Sequence, residues 1–196
     1  PHEVLRRAAG AAARSLAGNG AATFSLPHSD VQGFTAIAEG ALLGSYLFDQ
    51  FKGATKKDQR APLGKITIHS THVKGSNAQT ILSRASVIAK YTHIVRDLIN
   101  TPPSHLTPST FVAEFKKLAG SRVKVEILNE VQLKKGGYGG IIGVGQGSAN
   151  PPRLLRLSYA PKGAKRRLAL VGKGITFDTG GLALKPAQGM EAMKSD

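Results

Sequence analysis

Residues 168–181, LALVGKGITFDTGG, join an apolar run to a glycine-rich turn, and this stretch decides the fold class. The run at residues 168–171 is apolar throughout, which predicts a strand buried on both faces. It leads directly into Gly172 and Lys173. Functional groups of open α/β sheets gather beyond the carboxyl ends of strands. We therefore expect an α/β fold with parallel strand segments and functional residues just after this strand.

The flanking sequence alternates between helical and strand patterns. Hydrophobic periodicity and turn residues predict helices over residues 3–16, 30–51, 79–100 and 107–118, and further strands over 22–26, 65–69, 123–128 and 154–159. The helix before residue 101 is interpreted as a link between two domains, which cover residues 1–75 and 101–196, with 76–100 between them. The sequence GVGQG at 143–147 lacks the third glycine of a dinucleotide fingerprint and predicts a tight turn or a contact between subdomains.

Composition places the chain among globular proteins. It has 196 residues, 41% of them hydrophobic and 20% charged, so it can bury a core. The absence of cysteine excludes disulfides and thiolate zinc sites, and it fits a cytoplasmic location. No run approaches the roughly 20 apolar residues of a membrane span, so no membrane association is expected. Because the chain opens on Pro1 rather than methionine, we expect a piece of a longer protein.

The net charge of +15 has two interpretations. A strongly basic surface is typical of proteins that bind DNA or another anionic partner. Alternatively, acidic segments of a longer protein are missing from this sequence. The basic residues form short clusters without interleaved aromatic residues, as at residues 165–167, which favours the second interpretation.

Four residues near the end of the sequence have the chemistry of a metal site. Asp178 and Asp196 offer hard oxygen ligands for divalent cations. Lys173 could join them only as the neutral amine, which a nearby ion would favour. Lys185 could remain protonated and polarise a substrate carbonyl. Taken alone, these residue types are more typical of a solvated lysine at a strand end and a turn aspartate capped by its glycines than of a metal site.

The literal sequence narrows these alternatives. Two segments closely resemble the signature of the leucyl aminopeptidase family, also called cytosol aminopeptidases. They are residues 171–186, VGKGITFDTGGLALKP, and residues 190–196, MEAMKSD. Two further segments look like that family's catalytic domain. They are residues 96–103, RDLINTPP, and residues 137–147, GYGGIIGVGQG. The resemblance is strong from about Arg96 onward and looser before it.

The resemblance implies a role for each matching residue. Lys173 and Asp196 would hold one metal ion, and Asp178 would bridge two divalent ions, zinc or manganese. Lys185 would be catalytic and bind the carbonyl oxygen of the scissile peptide bond. Met193 would line the pocket for the N-terminal side chain, although its spacing from Met190 is also typical of core packing. Lys173, Asp178, Lys185 and Met193 would together contact the substrate, a peptide with a free N-terminus.

The resemblance also implies a fold and an assembly. Residues 1–75 would be the last part of a macro-like N-terminal α/β domain, 76–100 a linker helix, and 101–196 the first part of an α/β/α catalytic domain similar to zinc peptidases. Enzymes of this family form homohexamers, and some bacterial members also bind DNA. The family's second motif, N-T-D-A-E-G-R, supplies further metal ligands and an arginine that holds bicarbonate. That motif is absent from these 196 residues, so we expect this chain alone to be inactive.

Overall fold

The computed structural model describes residues 2–195, except for the side chain of Glu191. The chain divides into two compact units, the first ending at Asn100 and the second beginning at Thr101. Both units mix helices and strands, which confirms the predicted α/β class. The assignment of residues 76–100 as a linker stays a prediction.

The first unit is a βαβ arrangement preceded by a helix and followed by a longer one. Its elements are α1 (His2–Ser15), β1 (Ala21–Phe24), α2 (Val31–Gly44), β2 (Lys65–Ile68) and α3 (Gly75–Asn100). A 3-10 helix, Gly53–Asp58, lies between α2 and β2. Strands β1 and β2 are parallel, with Ala22 opposite Ile66 and Phe24 opposite Ile68. Parallel pairing is therefore present in this unit, although the sequence predicted it for the second part of the chain.

Helix α2 is shorter than its sequence pattern predicts. It begins after Asp30, whose carboxylate Oδ1 accepts a hydrogen bond of 2.6 Å from the backbone N–H of Gly33. It ends at Gly44, whereas the prediction continued it to Phe51. At Ser45 the backbone leaves the helical region, and the Ser45 hydroxyl donates to the carbonyl of Ala41. The backbone N–H of Ser45 donates to the carbonyl of Leu42, three residues earlier, and this tightened last turn closes the helix.

Small residues form much of the core of the first unit. The buried cluster consists of Ala9, Ala13, Phe24, Ile37, Ala41 and Leu63. Helices α1 and α2 approach each other through glycines. A Cβ added to Gly40 would lie 2.1 Å from the carbonyl oxygen of Arg6, and one added to Gly44 would lie 2.4 Å from that of Gly10. Only residues without a side chain fit this contact.

The second unit pairs its strands in antiparallel fashion, whereas the sequence predicted parallel segments for this part of the chain. Its elements are α4 (Pro108–Leu118), β3 (Val123–Leu128), α5 (Glu130–Lys135), α6 (Gly139–Gly145), β4 (Leu154–Tyr159) and a 3-10 helix, Met190–Ser195. Strands β3 and β4 are antiparallel, with Val123 opposite Tyr159 and Leu128 opposite Leu154. Leu133 of α5 is fully buried and anchors the short helices.

Two predictions for this unit are wrong: the parallel pairing of its strands and the strand at residues 168–171. Residues 168–171 are not a strand: Leu168, Leu170 and Val171 are 85%, 88% and 98% exposed. A strand needs a ladder partner, and within residues 2–195 β3 and β4 pair only with each other. The segment at 143–147, expected to be a tight turn or a contact between subdomains, contains the end of α6 at residues 143–145 and a turn at residues 146–147.

None of the helices within residues 2–195 combines the length and apolar character needed to cross a membrane.

Candidate functional site

A glycine turn holds Asp178 in place. The backbone N–H of Gly180 donates to Asp178 Oδ1 over 2.8 Å. Gly180 and Gly181 have φ angles of 94° and 70°, in the left-handed region that favours glycine. A Cβ on Gly180 would also lie 2.4 Å from the carbonyl oxygen of Ala183. The turn therefore requires glycine at position 180 on two independent grounds.

The same turn brings Lys185 to Asp178. The backbone N–H of Lys185 donates to the carbonyl of Thr179 over 2.8 Å, which folds the chain back on itself. The Lys185 ammonium then lies 3.3 Å from Asp178 Oδ2. The side chains of Asp178 and Lys185 are 46% and 28% exposed, so the ion pair is open to solvent on the carboxylate side. The structure thus joins two of the residues that the sequence singled out.

Three neighbouring groups lower the pKa of the Asp178 carboxyl below its ordinary value. The largest cause is the hydrogen bond from the backbone N–H of Gly180, followed by the hydrogen bond and charge of Lys185. The charge of Lys173 acts in the same direction, so Lys173 lies close enough to influence the carboxylate. The Lys173 residue itself is exposed. Asp178 is therefore an anion at neutral pH, as a metal ligand must be.

The remaining predicted residues lie in or beyond the 3-10 helix Met190–Ser195. Met190 and Met193 are both half-buried, which leaves open the two alternatives of a pocket wall and core packing. Asp196, expected as a metal ligand, lies outside the described residues.

Lys194 is a residue to which the sequence analysis assigned no role. Its ammonium donates to the carbonyl of Thr101, 93 residues earlier in the chain. Burial lowers the pKa of this ammonium. The contact fixes the 3-10 helix against the start of the second unit. Its position inside the quoted sequence MEAMKSD was the available signal, because it lies between Met193 and Asp196.

The described residues fit part of a divalent cation site. Asp178 supplies an accessible carboxylate, and Lys173 is a nearby amine. Within residues 2–195 there is no group of three or more His, Cys, Asp or Glu side chains that could hold an ion. Since divalent cations in proteins take four or more ligands, this donor set is a portion of a site.

Comparison with family models identifies both units. The model described as "Cytosol aminopeptidase family, catalytic domain" matches residues 93–196. The model of the same family's N-terminal domain matches residues 1–55.

Curated relatives agree along nearly the whole chain. A probable cytosol aminopeptidase of Streptomyces avermitilis is 48% identical over 197 residues, which cover 99% of this chain and 38% of the relative. Another of Micrococcus luteus is 48% identical over 198 residues, covering 99% of this chain and 39% of the relative. The chain thus spans less than half the length of these relatives.

Solved structures share the fold. The bottromycin maturation enzyme BotP in complex with Mn has a TM-score of 0.80 and 30% identity, and the match covers 100% of this chain and 41% of that one. The apo leucyl aminopeptidase from Trypanosoma cruzi has a TM-score of 0.78 and 28% identity. The match covers 100% of this chain and 38% of that one.

Proposed function

Because the chain belongs to the cytosol aminopeptidase family, we propose that it supplies part of the active site of a two-metal aminopeptidase. The reaction would be hydrolysis of the N-terminal peptide bond of peptides, with preference for apolar residues such as leucine. The observation that carries this proposal is the Asp178–Lys185 pair, which the glycine turn holds in the middle of the family signature.

The proposed metal ligands of this chain, for zinc or manganese, are Lys173, Asp178 and Asp196. Bound ions of this kind polarise a carbonyl oxygen and supply an activated water. Asp178 suits this role because the Gly180 N–H and the lysine charges keep it ionised. The Mn in the similar BotP structure supports the choice of a divalent metal.

Lys185 is the proposed catalytic residue. Its ammonium lies 3.3 Å from Asp178 Oδ2, and the side chain is 28% exposed, so a substrate carbonyl could replace Asp178 as its partner. A positive charge at the carbonyl oxygen stabilises the negative charge that develops there in the transition state. Met193 is half-buried and follows Lys185 closely in the sequence. It is proposed to contact the substrate's N-terminal side chain.

Metal binding by the 196-residue chain tests this assignment directly. Titration calorimetry with Mn²⁺ and Zn²⁺ should show weak binding that Asp178→Asn abolishes and Lys173→Met weakens. Asp58→Asn is the matched control, because Asp58 is an exposed carboxylate at the end of the 3-10 helix of the first unit. Equal binding by the Asp178→Asn variant and the unaltered chain would contradict the proposal.

Activity of the chain by itself is a second test. The motif N-T-D-A-E-G-R is absent from these residues, and the proposed ligands here number only Lys173, Asp178 and Asp196. We therefore expect no turnover of leucyl-p-nitroanilide by the purified chain, with or without added metal and bicarbonate. Measurable turnover that Lys185→Met does not reduce would remove Lys185 from the mechanism.

Proposals on assembly and location rest on family membership alone. We propose that the protein acts in the cytoplasm as a homohexamer. Sedimentation velocity of the protein at several concentrations checks the assembly, and a monomer at all of them would exclude it.

DNA binding is a second candidate function, and the exposed basic segment 161–174 favours it. Every residue from 161 to 174 is exposed, and the segment includes Lys162, Lys165, Arg166 and Arg167. Binding through phosphate contacts should weaken steeply with salt. In a gel shift, neutralising residues 165–167 should weaken binding more than neutralising Lys56 and Lys57. A shift unchanged by salt, or none at all, would exclude this function.

A further inference from the structure

A groove lined by arginines lies on the first unit. It has a volume of about 360 Å³ and is bordered by Arg6, Arg7 and Arg14 of α1, by residues of α2, and by Arg96 of α3. Its volume falls within the range of roughly 300–1,000 Å³ that is typical of small-molecule sites. All the lining residues belong to the first unit, whereas Asp178 belongs to the second.

Glycines make the floor of the groove. Gly10, Gly40 and Gly44 line it, and the close contact of α1 with α2 at these positions leaves no side chain between the helices. Arg7, Ala11 and Arg14 follow at spacings of four and three residues, so they share one face of α1. Long cationic side chains therefore border the line along which the two helix backbones pack together.

Carboxylates neutralise only part of this positive charge. Glu3 accepts from both Arg6 and Arg7, and Glu39 accepts from Arg6 over 3.0 Å. Arg14 forms no ion pair with any residue that the structure describes. Two carboxylates thus face four guanidinium groups, and a positive excess remains in the groove.

The arginines also have structural contacts, which account for some of them. Arg14 lies in the last turn of α1, where a cation interacts favourably with the helix dipole. Arg96 donates to the carbonyl of Leu43 over 3.1 Å, near the end of α2, and its guanidinium lies 5.2 Å from the centre of the Tyr46 ring. Arg96 uses one donor in that bond and retains others, since a guanidinium has five. Arg7 lies eight residues before the end of α1, beyond the reach of its carboxyl-terminal dipole, so the dipole does not explain it.

We propose that this groove binds a compact, multiply charged phosphate anion, a di- or triphosphate group that is either free or part of a nucleotide. Planar guanidinium groups bind phosphate oxygens through paired hydrogen bonds. The positive excess in the groove matches two or more negative charges. The proposal does not depend on the peptidase function.

The test is titration calorimetry of the 196-residue chain with tripolyphosphate in buffer without divalent cations. We expect saturable binding, and we expect Arg14→Gln to weaken it about tenfold, because each lost hydrogen bond to a charged group costs on that order. Ala11→Glu is a second variant, which adds a negative charge to the groove without removing any contact of the native chain. Circular dichroism confirms that both variants fold.

Arg84→Gln is the matched control, because it removes the same charge from an exposed position on α3 that does not line the groove. It should bind tripolyphosphate as the unaltered chain does. A parallel titration with a nucleoside triphosphate identifies the source: tighter binding means a nucleotide, and equal binding means the free phosphate chain. Absence of binding by either probe, or equal weakening by Arg84→Gln and Arg14→Gln, would overturn the proposal.

Discussion

The helix layer of the first unit and residues 160–195 of the second unit achieve order in different ways. In the first unit α1 and α2 pack through glycines and bury Ala9, Ile37 and Ala41 completely. In residues 160–195 no described residue is buried, and short-range hydrogen bonds around Asp178 set the shape. The residues with the proposed chemistry thus lie where the core contributes least, which leaves them accessible to an ion or a substrate.

The largest effect should come from Gly40→Ala, which breaks the closest helix contact of the first unit. The added Cβ would meet the backbone oxygen of Arg6 at 2.1 Å, so one helix has to move. We expect a loss of more than about 3 kcal/mol in the free energy of unfolding, at the upper end of overpacking costs. Urea denaturation followed by circular dichroism measures it.

Gly143→Ala is its control in the second unit. This glycine lies inside α6 with no atom within 4 Å of the added Cβ, so alanine should stabilise the helix by up to about 1 kcal/mol. If the two variants lost similar amounts of unfolding free energy, the close contact of α1 with α2 would not be what makes Gly40 essential.

Truncation of leucines should separate the folded part of the second unit from its exposed segment. Leu133 is completely buried, and Leu133→Ala should cost about 3 kcal/mol. Leu182 is fully exposed, and Leu182→Ala should change stability by less than about 0.5 kcal/mol. Hydrogen exchange of the backbone amides of β3 and β4 measures the change in stability for each variant. If Leu182→Ala proves as costly as Leu133→Ala, residues 160–195 have a core of their own.

Removal of a helix cap should lower the stability by a smaller amount, and by similar amounts in the two units. Asp30→Ala at α2 and Thr107→Ala at α4 should each cost about 1 kcal/mol. Asp30 should matter more, because its oxygen lies 2.6 Å from the capped nitrogen, compared with 3.4 Å for Thr107. Asp30→Asn should retain most of the stability, since asparagine also caps helices. Thermal unfolding gives the ranking, and a larger loss for Thr107→Ala would reverse it.

The smallest effect concerns titration of Asp178. Its pKa is lowered first by the Gly180 N–H and then by Lys185. Lys185→Met should therefore raise the pKa of Asp178 part of the way toward its ordinary value, as carbon-13 NMR of the carboxyl group would show. Because the folded pKa is the lower one, the stabilising contribution is present at neutral pH and disappears as the pH falls through that value. An unchanged pKa in Lys185→Met would show that the ion pair does not form in solution.

Sequence patterns predicted the elements of the fold whose partners are close in the chain. The strands at 123–128 and 154–159 and the helix at 108–118 are confirmed, because alternation and capping signals are local. Helix α5 was missed although Asn129 and Gln132 form a capping box. Residues 168–171 were wrongly expected to be a buried strand, since apolar composition cannot reveal whether a pairing strand is present.

The candidate site was only partly predictable for the same reason. The chemistry of Asp178 and Lys185 pointed to a metal site, but their direct ion pair depends on the turn through Gly180, which residue types alone do not specify. The bond from Lys194 to Thr101 spans most of the second unit, and the position of Lys194 inside MEAMKSD does not reveal this partner.

That bond has a consequence for the order in which the protein takes shape during synthesis. The buried cluster of the first unit draws only on residues 9–63, so it can form while later residues are still being translated. The Lys194 contact instead needs a partner 93 residues upstream, and contacts of such long sequence separation form late. The 3-10 helix that carries Met193 is therefore expected to settle after the first unit has folded. A ribosome paused before residue 194 would hold a chain with a finished first unit and an unanchored end.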